Sequence, residues 1–555
     1  MRVALQGRRV RGWVVAVEVA PTADVPLRPL LRVTGLGPSA DVIGLARWAA
    51  WRWAGRTVHF LRTASPRGVV AGLPPLPATR LEPAASEGGS HHELLGEALA
   101  RATSVLRLPP AAPVLPLVLE AARQGTTLVV APSSAVATDV AAALRASGMP
   151  TALLPGEWAR AAAGARVVVG ARAAAWAPAV DLATVVVLDE HDESHQSEAS
   201  PTWNARDVAA ERARRAGARC VWTSPCPSLE ALAWAPVLAP SRAAERSGWP
   251  VVDVVDRRRE EPLRADLYSP RLVTLARATA TAPADAGADA SGRLVAVLNR
   301  KGRASVLACS ACAELARCER CGAAVAQGDD AILGCRRCAS RRPLVCLACG
   351  STRLKVLRPG IRRVRDDLER LAGVAVAEVT GASGSEPVDA PVAVGTEAVL
   401  HRVASASVVA FLDLDVELLA PRYRAAEQAM ALLARAARLV GGKAGGGRLV
   451  LQTRLPGHEV VQAALHADPA RVAAAEAERR RLLAFPPTTA LALVSGAPAE
   501  AYVRGLGSSP DVEVLGPASG RWLVRARDHR RLCDALAATP RPPGRLRVAV
   551  DPLRI

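Results

Sequence analysis

Between residues 94 and 235, short apolar runs alternate with alanine-rich stretches. The runs TTLVVAP (126–132), ARVVVGAR (165–172), ATVVVLDE (183–190) and ARCVWTSP (218–225) are rich in β-branched residues and lack the apolar/polar alternation of a half-exposed strand. Such runs mark strands buried on both faces, and the intervening segments, LVLEAARQG among them, carry helix formers. The pattern predicts a doubly wound parallel sheet with helices on both sides. It begins again at RLVAVLNRKG (293–302) and resumes beyond residue 351 with APVAVGTEA, SVVAFLDLD and RLVLQT, which predicts a second sheet of the same kind. A tail of short strands and one helix ends in RLRVAVDPLRI and reads as a small α+β domain.

Two low-complexity stretches, GLPPLPATRLEPAASEGGSHH (72–92) and TATAPADAGADASG (279–292), break the pattern. The expected division is therefore an N-terminal block at 1–72, a linker at 73–92, a first α/β lobe at 93–278 and a linker at 279–292. A second lobe follows at 293–308 and 351–487, interrupted by a cysteine-rich insertion at 309–350, and the C-terminal domain occupies 488–555. In the first block, SADVIGLARWAAWRWAG predicts a helix that Ser39 can cap, with Leu45, Trp48 and Trp51 at helical spacing. Those indoles, with Trp53 and the neighbouring arginines, read most simply as core with a wet basic face, although the same set could stack on bases.

At 555 residues the chain is long enough for roughly three or four domains. A net charge of +19 points to a polyanionic partner, nucleic acid ahead of a membrane surface. Only three of the 71 basic residues are lysines (Lys301, Lys355 and Lys443), so part of the excess reflects an arginine-rich codon usage. With no signal-like start and no membrane-spanning run, a cytoplasmic, nucleoid-associated protein without a membrane partner is expected.

Eight of the eleven cysteines fall within 41 residues as four C-x-x-C pairs: Cys309/Cys312, Cys318/Cys321, Cys335/Cys338 and Cys346/Cys349. Two such pairs close a tetrahedral Zn²⁺ site, so the block predicts two zinc ions per chain. Four sulfurs leave no position for a reactive water, which makes the metal structural. Of the possible pairings, the nested one is favoured, with Cys318/Cys321 and Cys335/Cys338 as the inner site and thirteen residues between them. Cys220, Cys226 and Cys533 lie outside and read as inert thiols.

The strand ATVVVLDE runs into Asp189, Glu190 and His191, the place where a nucleotide hydrolase holds magnesium. A triphosphate also needs a glycine-rich loop of backbone N–H donors and a lysine. None of the three lysines sits in such a loop, and the stretch that should form it reads LRLPPAAPVLP, with prolines at 109, 110, 113 and 116. Proline has no N–H to donate. ATP hydrolysis is not expected, and Asp189, Glu190 and His191 read as a vestigial nucleotide site.

Several segments resemble, in order, the PriA (primosomal protein N′) family of superfamily 2 DNA helicases. They are VVVGARAAAWAP, LDEHDES with NARDVA, TSPCPSLEAL, VLNRKG ahead of the cysteines, FLDLDVELLAPRYRAAEQ, LVLQTRLPGH, AERRRLLAFPP and VAVDPLRI. The resemblance implies two RecA-like sheets as a degenerate helicase core, an inserted two-zinc ribbon module and a partial N-terminal DNA-binding and winged-helix region.

The chain departs from the family at several places. Leu188 replaces the leading acid of the DEEH motif, Pro110 falls near the Walker A lysine, and Leu439 and Gly442 fall where arginine fingers are expected. The family's aromatic-rich loop is reduced to Trp203, with His195 and Pro201 at the other two aromatic positions. The implied role is replication restart without a motor: a monomer that binds forked or single-stranded DNA. Its implied partners are primosome proteins, the machinery that loads the replicative helicase and single-stranded-DNA-binding protein. Candidate DNA contacts are Trp203, Arg300, Lys301, Arg303, Arg336, Arg337, Arg341 and Arg342. An active ATP-dependent 3′–5′ helicase and a protein-only zinc-ribbon scaffold are the alternatives.

Overall fold

The computed structural model describes residues 1–5, 8–20, 30–75, 90–259, 267–281, 292–298, 307–327, 332–356, 361–380, 388, 390–507 and 509–555. Its centre is a pair of sheets in which every strand runs parallel to its neighbours. The first has the spatial order Val237–Leu238, Thr103–Arg107, Arg219–Ser224, Leu182–Val187, Thr126–Val130, Val167–Gly170, Thr151–Leu153. The second has the order Val251–Asp256, Arg448–Thr453, Val408–Phe411, Leu294–Val297, Val392–Gly395, Val376–Val379.

Each sheet feeds two cores because successive side chains point to opposite faces. Val105, Leu128, Val130, Val168, Val185 and Val187 enter one core of the first sheet, whereas Leu106, Val129, Val167, Val169, Val186 and Leu188 enter the other. This two-sided burial is why the strands read as continuous apolar runs. Tandem parallel sheets of this kind are consistent with the two RecA-like sheets that the resemblance implies.

The boundary between the lobes differs from the expected one. Val251–Asp256 pairs along its whole length with Arg448–Thr453 of the second sheet, and helix Pro270–Ala280 packs on the same sheet through Leu272 and Ala276. The chain crosses between lobes near Trp249, inside the stretch assigned by sequence to the first lobe. Most of the low-complexity segment at 279–292 lies outside the described residues, but the elements on either side of it, Pro270–Ala280 and Leu294–Val297, both belong to the second lobe, because composition does not encode which sheet comes next.

Helices Ala40–Arg52 and Thr57–Ala64 share a core with one face of the first sheet and with the C-terminal domain. An aromatic chain runs through this core: Trp48–Trp53 (5.3 Å between centroids), Trp53–Phe60 (6.3 Å), Phe60–Trp176 (5.4 Å) and Trp176–Trp203 (5.6 Å). Trp53 is fully buried, so the indoles serve packing. The buried Arg52 extends the join to the chain's end, donating to Asp551 at 2.6 Å. The C-terminal domain is an antiparallel sheet, Val512–Ala518, Arg521–Ala526, Ala490–Ser495, Arg547–Val550, with two helices against it. Among the described residues, no helix is long and apolar enough to cross a membrane.

Candidate functional site

The strand Leu182–Val187 ends at the seam between the two lobes, and the chain turns there. Asp189 takes φ = 49°, a left-handed conformation that Asp tolerates better than most side chains. Its carboxylate faces the second lobe. Arg438, on helix Ala425–Val440, grips it with two parallel bonds, Nη1 to Oδ2 at 2.6 Å and Nη2 to Oδ1 at 2.7 Å. The third nitrogen of that guanidinium, Nε, donates to the carbonyl of Pro110 at 2.7 Å. Burial alone would raise the Asp189 carboxyl, but the Arg438 charge outweighs it and holds the group at about 2.

The surroundings of Pro110 are equally closed. Pro109 packs on Gly248, where a Cβ would fall 2.4 Å from the proline's own Cβ. The loop therefore offers a carbonyl to a cation where a phosphate cradle offers N–H groups to an anion. The sequence places Leu439 and Gly442 at the expected finger positions, yet the neighbouring Arg438 carries a second-lobe guanidinium into the site.

Glu190 has turned away from this place. It accepts from Arg206 Nη1 (2.9 Å), from the Ser228 hydroxyl (2.8 Å) and from the Ser228 backbone N–H (2.8 Å). His191 Nδ1 lies 2.8 Å from the Ser224 hydroxyl. The three residues at this strand end thus diverge: Asp189 to the second lobe, Glu190 to Arg206 and Ser228, and His191 to Ser224. Leu188 is 2 % exposed and belongs to the sheet core.

Trp203 is not available to a nucleic acid strand. It is 7 % exposed and packs edge-on against Trp176, with the Arg172 guanidinium over its ring. His195 is buried as well, its Nε2 bonded to the Leu188 carbonyl at 2.9 Å. The aromatic positions of this loop are core positions here.

The cysteines gather as Cys309, Cys312, Cys346 and Cys349 in one group and Cys318, Cys321, Cys335 and Cys338 in the other, the nested arrangement. Sulfurs from opposite pairs lie 3.4–3.6 Å apart, as for Cys321–Cys335 and Cys312–Cys346. A thiolate tetrahedron around Zn²⁺ has edges of about 3.8 Å, so each group could hold one such ion. Short antiparallel strands, Val325–Gln327, Ile332–Cys335 and Arg341–Pro343, carry the inner group.

The arginines of this module divide by role. Arg337 donates to the carbonyls of Ala420 (2.8 Å) and Arg422 (3.1 Å) and so anchors the module on the second lobe. Arg342 donates to the Val345 carbonyl at 2.5 Å. Arg336 and Arg341 stand on the exposed side. Arg300, Lys301 and Arg303 lie outside the described residues.

Sequence reasoning missed the second-lobe partners of the seam. Arg424 pairs with Glu230, and Arg435 pairs with Asp192. Arg480, 1 % exposed, reaches Glu427, Glu476 (3.0 Å) and Glu230 (3.3 Å). Nothing in their local sequence separates them from the other arginines; only the helical spacing of 424, 435 and 438 links three of them.

No family model matches the chain. It is 25% identical to the replication restart protein PriA of Bacillus subtilis over 403 residues, covering 66% of this chain and 49% of that protein. It is 31% identical to the probable replication restart protein PriA of Mycobacterium leprae over 349 residues, covering 60% of this chain and 52% of that protein. Among solved structures, S. cerevisiae Dbp5 bound to RNA and ADP BeF3 aligns at 10% identity with a TM-score of 0.37, covering 70% of this chain and 92% of the other. The chain spans about half the length of the curated relatives it matches. The chain is thus similar in sequence, over about 60% of its length, to PriA replication restart proteins, and its tandem parallel sheets are consistent with that likeness.

Proposed function

We propose that the chain acts in replication restart as a fork-binding scaffold that helps reload the replicative helicase and does not drive itself with ATP. One observation carries the absence of a motor: the Arg438 guanidinium is spent on the Asp189 carboxylate and the Pro110 carbonyl. Magnesium would have to displace that arginine from its acid, and the γ-phosphate would meet a proline loop instead of a lysine and N–H donors. In this reading the two cysteine groups hold structural zinc. Lobe 1, lobe 2 with its metal module, the N-terminal block and the C-terminal domain together form a platform for DNA and for primosome proteins.

The helicase reading has one specific point in its favour. Arg438 brings a second-lobe guanidinium to the site, as an arginine finger would. The competing carbonyl weighs against it, because a finger that waits for phosphate has no need of a second fixed acceptor.

DNA binding is tested by fluorescence anisotropy on forked and single-stranded DNA across a salt series. With the net charge of +19 engaged on phosphates, log affinity falls linearly with log salt, by about 0.7–0.9 per phosphate neutralised. A flat salt response, or no fork affinity at low salt, contradicts the DNA reading and favours a protein-only scaffold.

A further inference from the structure

The contacts of helix Ala425–Val440 extend far beyond Arg438. Its start and one face carry Arg424, Glu427, Gln428, Arg435 and Arg438, spaced so that they line a single stripe. Every one of them meets the first lobe. Arg424 pairs with Glu230, and Glu427 accepts the Leu229 backbone N–H at 3.0 Å, capping the short helix that carries Glu230. Gln428 donates to Glu193, Arg435 pairs with Asp192, and Arg438 pairs with Asp189. From 424 to 438 the stripe is about 21 Å long at 1.5 Å per residue, with contacts to the first lobe along that length.

Beneath it, Arg480 joins Glu427 to Glu230 from a fully buried position. The Tyr423 ring lies under both Arg424 and Arg480, at 5.1 and 5.3 Å, and its hydroxyl donates to the Pro552 carbonyl at 3.0 Å. The charges around Glu230 are held inside, the side chains of Glu230, Glu427 and Arg424 being 14–17 % exposed, whereas Arg435 and Arg438 are 26 and 40 % exposed. In low dielectric such pairs are weakly screened by salt, and removing one partner strands the other.

A two-lobed motor closes when nucleotide supplies the negative charge that the second lobe's arginines seek, and opens when that charge leaves. Here the first lobe supplies four carboxylates of its own, Asp189, Asp192, Glu193 and Glu230. We propose that this ionic seam holds the two lobes in one closed arrangement without nucleotide, so that the surface they jointly present is permanent instead of gated. The inference shares with the proposed function only the Asp189–Arg438 contact and does not depend on fork binding.

The test is the distance between spin labels introduced as unnatural amino acids at Asp139 and Arg362, exposed positions on the two lobes, in the full chain. A single narrow distribution is expected without nucleotide, and it stays in place on adding ATP with magnesium and on raising salt. Arg435→Asp should shift the distribution to longer distances and broaden it, and the exchange of charges in Arg435→Asp with Asp192→Arg should restore it. A broad distribution in the unmodified chain, a shift caused by ATP, or a narrow distribution retained by the single variant would each overturn the proposal. Fork affinity measured on the same samples separates this outcome from a failure of the DNA reading.

Discussion

The cysteine module and the interlobe seam are both held by clusters of charged or ionisable groups, but they are assembled in opposite ways. In the module, each pair of ligands comes from a four-residue turn, and the whole set spans 41 residues. In the seam, Asp189 and Arg438 are 249 positions apart, and nothing near either one announces the other. A metal ion demands a fixed ligand type at a fixed spacing, so its site is written locally. An ion pair demands only opposite charge and a fold that brings the groups together. The contrast also separates two kinds of stability, one lost on chelation and one insensitive to it.

Metal removal is the largest lever. The module has a small core around Leu307, Val325 and Leu333, and structural zinc contributes on the order of 10 kcal/mol in comparable folds. Chelation should therefore unfold residues 309–350 and make them protease-sensitive, while the two parallel sheets keep their circular dichroism. Simultaneous loss of both sheets would show that module and seam are not independent.

Next comes the aromatic chain in the core shared by the first sheet and the N-terminal helices. Trp203→Ala should cost about 3–5 kcal/mol in denaturant unfolding, because it empties a filled core position. At temperatures where the variant stays folded, its fork affinity should be unchanged. A selective loss of DNA binding with little loss of stability would restore Trp203 as a contact.

A smaller effect attaches to Asp189→Asn. It leaves Arg438 without its ionic partner, and since that side chain is 40 % exposed, water compensates in part. A loss of about 1–3 kcal/mol is expected, against the larger values seen for sealed pairs. No change in the denaturation midpoint would show that the contact is incidental.

Separate from these is a pH dependence in the second lobe. Burial, and then the neighbouring Asp415 carboxylate, push the Asp413 carboxyl up to about 7. Its folded value lies above the unfolded one of about 4. The stabilisation is complete below that lower value and is lost as pH rises through about 7. Asp413→Asn should flatten the stability profile between about pH 4 and 7, and an unaltered slope would assign it to other groups.

Much of the architecture was legible because burial on both faces leaves a continuous apolar run, as in ATVVVLDE and RLVLQT. The strand Val251–Asp256 was assigned to the wrong lobe because pairing partners are not encoded in a strand's own composition. The prolines at 109, 110, 113 and 116, which donate no backbone N–H, were legible directly. The arginine that faces them was not. With 71 basic residues in the chain, Arg424, Arg435, Arg438 and Arg480 look like ordinary surface charge until the fold sets them against acids. Trp203 misled for a related reason: a lone aromatic in a polar loop reads as exposed, whereas Trp176 and Arg172 cover it.

A site closed by Arg438 should not turn over ATP. The direct measurement is phosphate release by the purified, metal-loaded chain with magnesium and saturating forked DNA, run beside Glu190→Gln. No release above the variant's background is predicted. Saturable, fork-stimulated release that Glu190→Gln abolishes would show a working motor and contradict this prediction.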